Sequence, residues 1–228
     1  MTTTVDTAEH GDADRPLRQR RLRSLGLSVD RRLERLQNDY LSGSPGARAD
    51  LARLRRAVGK EVPDIPEVWE LVLPAVPASL RWDRDEPSRA EKAAHAALTL
   101  YAAHQQSLTV PAHRPGVSFG QAAEKLARTR GDNAQAVTRR FTTVTAAGSM
   151  RGILTHMQGL IAQMRSESIG FDYARLADDL FDLLDPVRRQ RVRLAWGRDF
   201  YRITTAADED SSTDNNSTTV TITESTGE

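Results

Sequence analysis

Six arginines set among three aromatics over residues 185–202 are the residues of this chain best suited to chemistry. The chemistry they suit is the holding of phosphate. A guanidinium presents a planar fork of donors that meets phosphate oxygens two at a time and stacks on bases, which a lysine ammonium does not. The chain favours that group heavily: 29 of its 32 basic residues are arginine, the others being Lys60, Lys92 and Lys125. A biased base composition in the coding DNA would give the same excess, so composition alone leaves the two explanations level.

Other chemistries are poorly served. Without cysteine there is neither a disulfide framework nor a thiolate metal site. His10, His95, His104, His113 and His156 show no metal-ligand spacing. Asp178, Asp179 and Asp182 fall within one helical turn and could hold a divalent ion, although aspartates on a helix face are far more often solvated or paired. No phosphate-binding glycine loop and no nucleophile elbow occurs. The expectation is a protein that is not an enzyme, with no cofactor, no metal and no small-molecule substrate.

The elements that must position the arginines read as helices almost throughout. Ser28 can cap a helix to about Leu41, and Ser44-Pro45 places a cap before a first-turn proline for a helix to Val58. Pro66 opens a short helix carrying Val68, Trp69 and Val72. Ser88 with Glu91, and Ser118 with Gln121, have the reciprocal capping-box spacing for helices to about Gln106 and Arg130. Residues 133–147 and 149–167 follow, then helices opened by Asp172 and by Asp185-Pro186. The fold class is all-α: two small helical bundles, residues 15–110 and 111–206, joined by a linker that contains Pro111 and Pro115.

Helical geometry indicates where the cations point. Ala47, Leu51, Leu54 and Val58 make one apolar stripe; Arg53, Arg56 and Lys60 lie nearly opposite it, with Arg48 and Arg55 at its flank. Only Asp50 offsets them, so these cations repel one another unless an anion is present. Val137, Phe141 and Val144 form the next stripe, flanked by Arg140, with Arg139 facing away. Arg128 and Arg130 end a helix, where the dipole already favours cations, yet they stand close in sequence to Arg139 and Arg140 and suggest a shared patch. In the last helix Val187, Leu194 and Tyr201 line one face and Val192, Trp196, Phe200 and Ile203 the other. Such a helix is sandwiched in its bundle or shared with a partner. Its Arg191, Arg198 and Arg202 can pair with Asp172, Asp178, Asp179, Asp182 or Asp199.

The formal net charge of +1 hides segregation. Residues 1–14 carry four acids and residues 207–228 six, both without a base, so residues 15–206 stand at +11. Both ends read as disordered acidic tails, able to compete with nucleic acid for a basic surface or merely to aid solubility. Neither a signal peptide nor a membrane span is legible, and a cytoplasmic protein that avoids membranes is expected.

Five blocks in order, ADLARLRRA at 49–57, LYAAHQQS at 100–107, SFGQA at 118–122, Arg139-Arg140-Phe141 and WGRDFY at 196–201, resemble the CasB family in its actinobacterial-type branch. That family is the small subunit of type I-E CRISPR surveillance complexes (Cascade). The resemblance, over roughly residues 28–203, implies a helical, non-catalytic antiviral-defence protein present in two copies. It implies contacts with the backbone-forming subunits and the large subunit. It also implies that a basic surface holds the guide RNA–target DNA hybrid and the displaced strand without reading bases. Arg55 and Arg56 match the arginine pair of the family's second-helix motif, and Arg139 and Arg140 the pair before the central phenylalanine. Arg53, Arg128, Arg130 and Arg151 join them as candidates for nucleic-acid binding.

Overall fold

Serine and aspartate side chains set where most of the helices begin. The structure is a computed structural model that describes residues 21–82 and 84–210, with side chains as far as Tyr201. The elements are α1 (Ser24–Leu41), α2 (Pro45–Arg56), α3 (Trp69–Val72), α4 (Arg89–Gln105), α5 (Phe119–Thr129), α6 (Ala134–Ala146), α7 (Met150–Ser166), α8 (Tyr173–Leu183) and α9 (Arg189–Asp210). Ser44, Ser149 and Asp172 each accept a backbone N–H of the first turn, and Ser88 and Ser118 close complete capping boxes with Glu91 and Gln121. Each such cap stabilises its helix by about 1 kcal/mol. Among the described residues the only β contact is an isolated parallel bridge between His113 and Phe171, so the fold is all-α as expected.

Two helix starts differ clearly from the sequence reading, and in the first a tertiary contact is the reason. The first helix starts at Ser24 rather than after Ser28, because a carboxylate from α8 caps it: the Arg23 and Gly26 N–H groups donate to Asp178 at 2.7 and 2.9 Å. Gly26 admits that carboxylate, since a Cβ there would stand 2.4 Å from its Oδ2. The last helix starts at Arg189 rather than Asp185, whose side chain instead holds the Val187 N–H in a turn. At its far end the α9 backbone runs through Asp210, four residues into the segment expected as tail. The expectations for residues 1–14 and 211–228, including the threonine-rich 218–223, lie outside the described residues.

Helix α8 lies at the centre, packed on α1 and α4, while α5 packs on α9 and α6, and α7 on α6 and α4. The buried apolar side chains form one cluster from Leu25 to Phe200. Aromatics anchor α9 to it: Phe200 stacks on Phe141 at 4.3 Å, and Trp196 meets Phe119 edge-on at 5.0 Å. Such pairs contribute roughly 0.5–1.5 kcal/mol each beyond their buried area.

The proline-containing segment between α4 and α5 is tied down by side-chain amides. Gln105 donates to the carbonyls of Leu108 and Val110 and accepts from the Ala112 N–H. Gln37 of α1 brackets His113, accepting from its N–H and donating to its carbonyl. The buried His113 ring then accepts the Tyr173 N–H at Nδ1 and lies 3.0 Å from Asp30 through Nε2. A neutral ring with its proton on Nε2 satisfies both contacts.

Candidate nucleic-acid interface

Helices α6 and α7 form an antiparallel hairpin across a three-residue turn, and their sequences contain no acidic residue; α2 contributes only Asp50. Ile153, Met157, Leu160, Ile161 and Met164 bury one side of α7, which leaves Arg151, Thr155, Ala162 and Ser166 as its exposed ridge. Cations stand on both flanks of that ridge. On one side the turn after α2 reaches α7 at Gly59, where an added Cβ would meet the Gln158 amide at 3.5 Å. On the other, the Arg140 guanidinium lies over the next residue, Gly159, at 3.4 Å from a Cβ built there. Arg55 and Arg56 close α2 just before that turn, and Arg140 is the one of these four arginines that the structure places against α7.

Charge pairing divides the eight candidates into two groups. Arg53 is held by Asp50 at 2.6 Å and by Glu70. Arg128 pairs with Glu124 at 2.6 Å, one turn back on α5. Arg130 binds Glu167 at 3.0 Å and donates to the Ser166 hydroxyl at 2.9 Å. Arg151 stands 3.9 Å from Glu61 but is mostly exposed. By contrast Arg55, Arg56, Arg139 and Arg140 have no carboxylate partner among the described residues; Arg139 donates only to the Gln135 amide, at 3.1 Å. The four matched to family motifs are therefore the four of the eight without a carboxylate partner among the described residues.

The arginines do not all converge. Arg151 lies in the first turn of α7, Arg140 beside its middle and Arg130 beside its end, a span of about 22 Å at 1.5 Å per residue. A duplex strand carries one phosphate per ~3.4 Å of axis, so α7 parallels about six steps. Arg128 departs from this line: its ion pair lies in the groove between α5, α6 and α9, away from α7. Proximity in sequence does not bring it to Arg140, which turns toward α7.

Sequence geometry missed a cavity of about 250 Å³ between the α2 turn, α4 and α7. Lys60, Lys92 and Arg151 line it above an apolar floor that includes Val62, Ala96 and Leu154. Lys60 was expected on the exposed face of α2, but the helix ends at Arg56 and Gly59, with φ +77°, turns the chain off that face. Lys92 offered one signal, a lysine one turn into an alanine-rich helix. At the cavity wall His95 is buried, with Nε2 3.1 Å from the Lys60 carbonyl, and burial pushes its pKa down.

The aspartates of α8 are committed to structure. Asp178 and Asp182 bind Arg23, and Arg188 reaches Asp182 at 3.4 Å. Asp199 pairs with Arg175 at 2.9 Å, and Asp179 accepts the Trp196 Nε1–H at 2.7 Å. Burial drives the Asp179 carboxyl up to about 6. No group of three acidic or histidine side chains able to hold a metal occurs among the described residues. Arg191 and Arg198 thus lack the aspartate partners expected for them, since those carboxylates are taken; the Arg202 side chain lies outside the described residues.

Comparison with known proteins gives a consistent result. The family model for CRISPR-associated protein Cse2 matches residues 50–201. The crystal structure of CasB from Thermobifida fusca is 33% identical, with a TM-score of 0.67 over 79% of this chain and 99% of that one. A chain of a CRISPR RNA-guided surveillance complex is 22% identical, with a TM-score of 0.60 over 80% of this chain and 99% of that one. M. ruber CasB is 21% identical, with a TM-score of 0.56 over 82% and 98% of the two chains. No curated protein sequence matches at a significant level.

Proposed function

The chain belongs to the CRISPR-associated Cse2 family, also written CasB, and from that premise we propose that it is the small subunit of a type I-E Cascade surveillance complex. The family is one of structural subunits rather than catalysts. In this reading the subunit holds the guide RNA–target DNA hybrid and the displaced strand through backbone contacts, without sequence preference. Its protein partners are the backbone-forming subunits, the large subunit and a second copy of itself, and it works in the cytoplasm. No helix among the described residues is long and apolar enough to cross a membrane. Its two helical groups, residues 15–110 and 111–206, act as one rigid clamp.

The observation that carries the reading is that Arg55, Arg56, Arg139 and Arg140 have no described carboxylate partner, and that Arg140 lies against α7, a helix without an acidic residue. Counterion release from phosphates drives such binding and makes it salt-dependent. The energy required is modest, because exchanging a DNA duplex for an RNA–DNA hybrid is nearly balanced. Weak contacts suffice when assembly raises the local concentration of the surface. The test is a reconstituted complex carrying alanine at Arg55, Arg56, Arg139 and Arg140. It should keep its subunit composition and lose affinity for target DNA; unchanged affinity would leave only a scaffold.

That scaffold reading has one observation of its own. Leu194 and Tyr201 are each just over half exposed on α9, beside the exposed Arg191 and Arg198. This amphipathic face suits a protein neighbour, and a subunit can use α9 for assembly and α7 for nucleic acid.

A further inference from the structure

A second surface lies on the far flank of α6 from α7. A groove of about 400 Å³ runs between α5, α6 and α9, walled by Ala127, Ala134, Thr138, Phe200 and Tyr201. Cations stand on its rims. Arg128 lines it together with Glu124, the carboxylate that neutralises it, so the charge open to an occupant comes from two other arginines. Arg139 follows Thr138 on the exposed side of α6, and Arg198 sits one turn from Tyr201 on α9. Neither Arg139 nor Arg198 has a carboxylate partner among the described residues. An occupant that fits is an acidic segment carrying a few aliphatic side chains.

The chain itself supplies one. Residues 207–228 hold Asp208, Glu209, Asp210, Asp214, Glu224 and Glu228 with no base, and Val220 and Ile222 lie between the last two acidic sites and Asp214. The segment leaves the end of α9, the helix whose Phe200 and Tyr201 wall the groove. From Asp210 back to Tyr201 is about 14 Å along the helix. Ten residues of chain from Asp210 to Val220 reach up to about 33–36 Å, more than enough to return. We propose that the carboxy-terminal acidic segment docks in the α5–α6–α9 groove, placing Val220 and Ile222 on its apolar floor and its carboxylates against Arg139 and Arg198. Docked there, it occupies Arg139 as a phosphate would, and nucleic acid must displace it. This second consequence rests on the nucleic-acid reading above; the docking does not.

The magnitude follows from linkage. A short tether gives a local concentration in the millimolar range. An affinity of roughly 0.1–1 mM for the segment then weakens a competitor by about two- to tenfold. The effect is electrostatic and fades as salt shortens the screening length.

The absence of cysteine allows a clean label. In the full chain carrying Ser217→Cys with a nitroxide, paramagnetic broadening should concentrate on Ala127, Ala134 and Thr138, be independent of protein concentration, and vanish when Val220→Ser and Ile222→Ser are added. Broadening spread evenly over the surface, or present only at high protein concentration, would overturn the docking. A chain ending at Asp210 should then bind a thirty-nucleotide oligothymidylate two- to tenfold more tightly than the full chain at about 50 mM salt, converging by about 200 mM. Equal affinities alongside localised broadening would refute competition while leaving the contact. If neither chain binds the oligonucleotide, the nucleic-acid reading fails and the relaxation result still decides the docking.

Discussion

Replacing Arg55, Arg56, Arg139 and Arg140 together with alanine removes four guanidinium groups without orphaning any described carboxylate. Each cation that meets a phosphate releases about 0.7–0.9 counterion, so the slope of log affinity against log salt should become shallower by about three. Over a fourfold rise in salt that change corresponds to about a 60-fold difference in how much affinity is lost. The assay is anisotropy of labelled target DNA titrated with complex assembled from either chain, at several salt concentrations between roughly 50 and 200 mM. A companion variant supplies the contrast: alanine at Arg53, Arg128 and Arg130 removes three arginines that already meet Glu70, Asp50, Glu124 and Glu167. It should move the slope by less than about one, because carboxylates of the same chain already neutralise those three guanidinium groups. Equal slope changes from both sets would refute the argument that pairing within the chain decides which arginines reach phosphate.

Asp179→Asn should stabilise the protein near neutral pH. The folded carboxyl titrates at about 6 against an unfolded value near 3.9, so its protonated form favours folding. Stability from this group is present below pH 4 and is lost as pH rises toward 6; the variant should gain up to about 3 kcal/mol at pH 7.5 and nothing at pH 4, read by denaturant unfolding at both. Gly120→Ala should lower the melting temperature, because its Cβ would stand 2.4 Å from the Trp196 carbonyl and force α5 from α9, at a cost of at least about 1–3 kcal/mol. Residues 15–110 and 111–206 expressed separately should each remain unfolded by circular dichroism and fold on mixing, since α8 packs on both α1 and α4; a stably folded single half would contradict this.

What was legible in the sequence is what is decided locally. Ser44, Ser88, Ser118, Ser149 and Asp172 cap within their own first turns, and those starts were found to the residue or nearly so. The start of α1 was not, because its cap arrives from Asp178, more than 150 residues away. The arginines divide in the same way. Glu124 lies at i,i+4 from Arg128 and could have been read as its partner. Glu70, Glu167 and Glu61 come to Arg53, Arg130 and Arg151 from other elements, so no spacing rule reveals which cations are already spent. The exposed ridge of α7 was hidden similarly: it is defined by what packs on either side, at Gln158 and Gly159, rather than by its own residues.

The central claim is that nucleic acid runs along the exposed ridge of α7, past Arg140. A photoreactive benzoylphenylalanine at Thr155, on the exposed ridge, tests it in the target-bound complex. The account predicts an ultraviolet-dependent adduct with the guide RNA or the target DNA; adducts with protein subunits alone would contradict it.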